Sequence, residues 1–143
     1  MDAPRRVAHC LVMESHQGRS GSARPLLSVV DDDESVRESL PDLLRELGFA
    51  ARAFSSGEEF LSSGCAGDTS CLILDVAMPG MSGPELYQEL KRRGHEIPVV
   101  FISGQTDETL RSRLLKQGAA GVLLKPFSDA TLLAAIKTAL QAS

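Results

Sequence analysis

The sequence predicts an α/β protein, a parallel β-sheet covered by helices on both faces. Three observations carry that prediction. Short, mainly apolar runs alternate with segments of helical periodicity from Leu26 onward, the third run is apolar throughout, and each run stops at a polar residue. A strand with one solvated face would alternate apolar and polar residues; a run such as Cys71-Leu72-Ile73-Leu74 does not, so it needs cover on both sides. Parallel strands also need crossovers, and these are right-handed and usually helical.

Leu26-Leu27-Ser28-Val29-Val30 reads as a buried strand that stops at three aspartates. Val36, Leu40, Leu43, Leu44 and Leu47 then recur at helical spacing, with Gly48 as the stop. Pro41 falls inside that pattern, removes the hydrogen bond to the Arg37 carbonyl and is expected to kink the helix. Ala50 to Phe54 is a weak second strand, and Ser56-Gly57-Glu58-Glu59 has the form of a capping box opening a short helix through Leu61. The third strand is Cys71 to Leu74, ending at Asp75. Ser82-Gly83-Pro84-Glu85 is a second capping box, with proline in the first turn of a helix to about Arg93. Val99 to Ile102 is a fourth strand ending at Ser103, followed by a helix over Asp107 to Gln117 that Gly118 closes. Gly121 to Leu124 is the fifth strand, ending at Lys125. Ser128 caps a last helix bearing Leu132, Leu133, Ile136 and Leu140.

Composition bounds the function. A length of 143 residues fits one domain on a prior of about 150 residues per domain, and 43% hydrophobic residues is too apolar for wholesale disorder. The net charge of −4 advertises no nucleic-acid face, and no run approaches the roughly 18 apolar residues of a membrane span. Cys10, Cys65 and Cys71 lack zinc-site spacing and read as reduced thiols of a cytoplasmic protein. Residues 1–25 hold several arginines and a Gly/Ser-rich run, have no signal-peptide form, and read as a flexible tail without chemistry. Tyr87, the only tyrosine, is expected to cover part of a helix surface.

In open parallel sheets ligands bind beyond the carboxyl ends of the strands. That rim collects Asp31, Asp32 and Asp33 after the first strand, Asp75 after the third, Ser103 after the fourth and Lys125 after the fifth. Any one of them alone would be an ordinary cap or loop residue. Together they bring carboxylates, a hydroxyl and an ammonium to one edge. Two carboxylates about 4 Å apart repel by roughly 4 kcal/mol at an effective dielectric near 20. Such a cluster must take up protons or hold a cation, and an all-oxygen set with room for water favours Mg²⁺ over zinc. A divalent ion beside a carboxylate and a lysine is equipment for phosphoryl transfer.

Val29-Val30-Asp31-Asp32-Asp33, Leu74-Asp75-Val76-Ala77-Met78-Pro79-Gly80-Met81-Ser82-Gly83, Ile102-Ser103-Gly104 and Lys125-Pro126-Phe127 together resemble the receiver domain of two-component response regulators, in particular nitrogen-fixation transcriptional regulators. From Asp32 to Asp75, Ser103 and Lys125 the steps are 43, 28 and 22 residues, and the resemblance covers about 26–142. It implies a flavodoxin-like three-layer (βα)5 sandwich with strand order 2-1-3-4-5. It also implies that Asp75 accepts a phosphoryl group from the phosphohistidine of a sensor histidine kinase or phosphotransfer protein. Asp32, Asp75 and the Ala77 carbonyl would bind Mg²⁺, with Asp31 holding it directly or through water. Lys125 and Ser103 would contact phosphoryl oxygens, Asp33 would cap the first helix, and Lys125-Pro126 would be cis.

The position three before the lysine, usually aromatic in this family, is Val122, which puts that form of switching in question. Ala77 and Gln105 would flank the phosphate, one leaving space for a water and the other orienting it. The implied protein is a signalling switch that catalyses only its own phosphorylation and dephosphorylation. Its output is a downstream protein or, in a longer chain, a C-terminal DNA-binding effector, with possible homodimerisation on phosphorylation. An aspartyl phosphatase or phosphotransferase would place a second aspartate two residues after the first, where this chain has Ala77. A binding module that is never phosphorylated is the other alternative, and the full residue set argues against it.

Overall fold

A computed structural model describes residues 24–104 and 108–142. The elements are β1 (Leu26–Val30), α1 (Glu34–Glu46), β2 (Ala50–Phe54), α2 (Gly57–Ser63), a 3₁₀ turn (Ala66–Asp68), β3 (Thr69–Asp75), α3 (Gly83–Arg92), β4 (Val99–Ser103), α4 (Glu108–Lys116), β5 (Gly121–Leu124) and α5 (Asp129–Ala142). All pairings are parallel and the strand order is β2-β1-β3-β4-β5, as expected for a flavodoxin-like three-layer sandwich.

The apolar runs of β3 and β4 are explained by two cores. Leu72 and Leu74 of β3 with Val99 and Phe101 of β4 face one core, which α2, α3 and α4 close with Phe60, Leu86, Leu90 and Leu114. Cys71 and Ile73 with Val100 and Ile102 face the other, closed by Leu40 and Leu44 of α1 and Leu132, Ile136 and Ala139 of α5. Successive residues of a strand point to opposite faces, so a sheet buried on both sides has no place for polar alternation.

Helix ends repeat one device. Gly48, Gly94 and Gly118 have φ of 103°, 86° and 110°. The residue after each returns its N–H to the carbonyl five positions back: Phe49 to Leu44, His95 to Leu90 and Ala119 to Leu114. These are Schellman endings, which need a left-handed residue that glycine adopts without a Cβ clash. At the other end of α3 the capping box is complete, with Ser82 N–H donating to Glu85 Oε1 (2.9 Å) and Glu85 N–H to Ser82 Oγ (3.3 Å). The box predicted for α2 forms only in half. Ser56 Oγ accepts from the Glu59 N–H, but the Glu59 carboxylate bonds Ser55 instead, which offers both N–H and O–H to one oxygen.

α1 runs unbroken through Pro41 to Glu46, with Leu40, Pro41 and Leu44 buried. The structure corrects three expectations. β3 is longer than predicted, and its added Thr69 is a buried polar residue that hydrophobicity alone does not mark. Tyr87 is no surface cover; its ring stands edge-on to Phe101, centroids 5.6 Å apart, in the core. Cys71 is a buried free thiol, as expected, with burial pushing its pKa up to about 12, whereas Cys65 is disulfide-bonded. The expected tail falls almost wholly outside the described residues.

Candidate functional site

The site is built where the strands run out. β1 ends at Val30, and the next residue, Asp31, is fully buried with every polar atom engaged. Its N–H donates to the Phe54 carbonyl (3.1 Å), its Oδ1 accepts from the Asp33 N–H (2.9 Å), its Oδ2 accepts from Lys125 Nζ (3.1 Å), and its carbonyl accepts from Arg37 Nη1 (3.0 Å). Asp32 is exposed. Asp33 caps α1, its carboxylate accepting from the N–H and hydroxyl of Ser35, and these bonds hold its pKa below the usual carboxylate value.

Asp75 terminates β3 and is 5% exposed. The Val76 N–H beyond it donates to the Ile102 carbonyl (2.9 Å), which ties its exit to β4. Burial first, and then the charges of Asp31 and Asp32, push the Asp75 pKa up to about 7, although Lys125 opposes the rise. Lys125 Nζ lies 3.6 Å from Asp75 Oδ1 as well as within hydrogen-bond reach of Asp31. Desolvation works against the ammonium, but its contacts with Asp31, and the charges of Asp75 and Asp33, outweigh that and raise its pKa. The peptide bond from Lys125 to Pro126 is cis, as expected. Ser103 is buried at the end of β4, and its carbonyl accepts the Lys125 N–H (2.8 Å).

Asp31, Asp32 and Asp75 each place a carboxylate oxygen within 4.8 Å of the others. Octahedral Mg²⁺ with ligands at about 2.1 Å spans roughly 4.2 Å between opposite oxygens. Carboxylate oxygens gathered this closely lie within reach of one such ion, with water completing its shell. The donors are all oxygen, and one lysine cannot neutralise three carboxylates. The set suits a hard divalent cation.

The structure thus brings together Asp31, Asp32, Asp75 and Lys125. Ser103 joins them through the neighbouring strand end. Ala77 is exposed in the loop after β3, and Val122 is buried in the α3/α4 core. Gln105 lies outside the described residues. Sequence reasoning missed Gly83. A Cβ there would sit 2.2 Å from the Asp75 carbonyl oxygen, so the start of α3 can pack against the site only without a side chain. It missed Arg37, whose bond to a main-chain carbonyl six residues back no motif marks. Away from the site it also missed a clasp between helix ends, where Tyr87 Oη (3.3 Å) and Lys91 Nζ of α3 both donate to the Gln117 carbonyl just past α4.

A family model described as the response regulator receiver domain matches residues 27–137. The chain belongs to this family. This receiver is 44% identical over 112 residues to the transcriptional regulatory protein FixJ of Azorhizobium caulinodans, covering 78% of this chain and 53% of that protein. It is 43% identical over 118 residues to nodulation protein W of Bradyrhizobium diazoefficiens, covering 82% and 52%. Among solved structures, response regulator StyR superposes with a TM-score of 0.77 at 44% identity, over 84% of this chain and 61% of that one. The crystal structure of FixJ-N gives 0.75 at 36% identity, over 83% and 95%. The chain spans about half the length of the curated relatives it matches. Among the described residues no helix is long and apolar enough to cross a membrane.

Proposed function

We propose that residues 26–142 form a phosphorylation-controlled receiver of a two-component pathway, with Asp75 as the phosphoacceptor. The observation that supports this best is the single lysine set between a fully buried aspartate and Asp75, inside a cluster of carboxylates it cannot neutralise. Asp31, Asp32, Asp75 and the Ala77 carbonyl would hold Mg²⁺. When bound, the ion offsets the charge of the carboxylates and of the incoming phosphoryl group.

In the reaction a carboxylate oxygen of Asp75 bonds to the phosphorus of a phosphohistidine as the phosphorus–nitrogen bond breaks, and the electron pair stays on the donor imidazole. Lys125, already beside Asp75, follows the developing charge onto a phosphoryl oxygen, and the Ser103 hydroxyl donates to another. The exposed Ala77 methyl leaves room for the water that later hydrolyses the acyl phosphate, and Gln105 would orient it. The domain is a switch that handles only its own phosphoryl group. Upstream it meets a sensor histidine kinase or phosphotransfer protein in the cytoplasm. Downstream it acts on a separate protein or, as the names and lengths of its relatives suggest, a DNA-binding effector in a longer chain.

Incubation with acetyl phosphate and Mg²⁺, followed by intact mass, tests the reading. One added phosphate is expected, absent in Asp75→Asn and without Mg²⁺. Equal uptake by wild type and Asp75→Asn would overturn it.

A further inference from the structure

Arg37 stands in an acidic neighbourhood, with Asp31, Asp32, Asp33, Glu34 and Glu38 all within six positions, yet among the described residues it makes no ion pair. Its guanidinium reaches back from the first turns of α1 and donates to a neutral group, the Asp31 carbonyl, at 3.0 Å. The choice has a consequence. An arginine bound to a carboxylate would take that carboxylate away from a cation, whereas one bound to the carbonyl leaves all three acids available.

The Asp31 carbonyl belongs to the peptide plane that leads into Asp32, and a rigid plane held at its oxygen fixes where the next residue leaves. Asp31 itself is held by the Phe54 carbonyl, the Asp33 N–H and Lys125. Asp32 is the exposed member of the cluster; the peptide after it is held by the Asp33 N–H on Asp31, and the peptide before it by Arg37.

We propose that Arg37 is a positioning residue of the acidic site: by holding the Asp31 carbonyl it keeps the Asp32 carboxylate aimed at Asp31 and Asp75, and so sets the affinity of the cluster for Mg²⁺. This rests on the reading of the rim as a cation and phosphoryl site. Arg37 touches neither the ion nor the phosphoryl group in this scheme, and its effect belongs to cation affinity.

The test uses the full chain with Arg37→Met and Arg37→Lys. Mg²⁺ affinity is read from titration calorimetry and from the Mg²⁺-dependent rise in Tm, and phosphorylation by acetyl phosphate is followed as a function of Mg²⁺ concentration. Arg37→Met is expected to weaken Mg²⁺ binding by about tenfold, the scale of losing a group that orients a metal ligand. The Mg²⁺ dependence of phosphorylation shifts by the same factor, and saturating Mg²⁺ restores the phosphorylated fraction. Lysine, which can still donate to the carbonyl, recovers part of the affinity.

Binding unchanged within about twofold would overturn the proposal on the same scale. So would tighter binding, the result of merely removing a positive charge near a cation. If Arg37→Met fails to fold, Arg37→Lys decides alone, since weaker binding at unchanged Tm without Mg²⁺ supports positioning and unchanged binding refutes it. A wild type with no Mg²⁺ response and no phosphate uptake would sink the functional reading itself, a different result from a responsive wild type with unaffected variants.

Discussion

Ser28 and Asp31 are both fully buried, one within β1 and the other just past its end, but their neighbourhoods are opposite in kind. Toward the start of β3, Ser28 Oγ and Thr69 Oγ1 lie 2.7 Å apart, and Thr69 Oγ1 donates to the Cys65 carbonyl at 2.8 Å. That cluster is neutral and its bonds run in one chain to a main-chain acceptor. At the other end of the same strands, Asp31 and Asp75 share one ammonium, and the Asp75 pKa is displaced to about 7. A satisfied polar cluster rigidifies a core and asks for nothing more. The charged one is left in deficit and has a use for a cation.

Asp75→Asn breaks the comparison most sharply. It should abolish phosphate uptake, and it should also stabilise the protein when Mg²⁺ is absent. The sign follows from the shift: a carboxyl whose folded pKa is about 7 against an ordinary 3.8 adds stability that is full below about pH 4 and lost as pH rises through about 7. At pH 8 the variant escapes that loss, and its Tm should exceed wild type by on the order of 5–10 °C. The gap should vanish near pH 4 and narrow when Mg²⁺ is added; a gap independent of pH would refute the assignment.

Lys125→Met leaves the buried Asp31 without its cation. A loss of about 3 kcal/mol in denaturant unfolding at pH 7.5 is expected, partly recovered by Mg²⁺. The smallest effect belongs to the neutral end. Thr69→Val removes one hydroxyl bonded to Ser28 and Cys65 and should cost about 1–2 kcal/mol, with no dependence on Mg²⁺ and none on pH between 5 and 8. A Mg²⁺-sensitive Thr69→Val would show that the two ends are coupled through β1 and β3.

Most of this fold was legible because its signals are local. Apolar runs covered on both faces, Gly48 and Gly118 as helix stops, and Ser82 with Glu85 as a capping box each declare themselves within a few residues. The half-formed box at Ser56 shows the limit, since the motif cannot say that Ser55 will compete for Glu59. The site was legible where strand ends mark it, at Asp31, Asp32, Asp75, Ser103 and Lys125. Contacts that only the assembled molecule makes were illegible, both in the site and away from it. Arg37 on a carbonyl, Tyr87 and Lys91 on Gln117, and the missing side chain of Gly83 depend on the assembled molecule.

Gly83 bounds how this protein can vary. Any side chain at that position would meet the main chain of Asp75 and Val76, and neither can retreat without moving the acid at the end of β3. Six positions earlier, Ala77 faces open solvent and meets no such barrier. Position 77 is therefore open to side chains of any size beside the acidic rim, while position 83 stays closed to them.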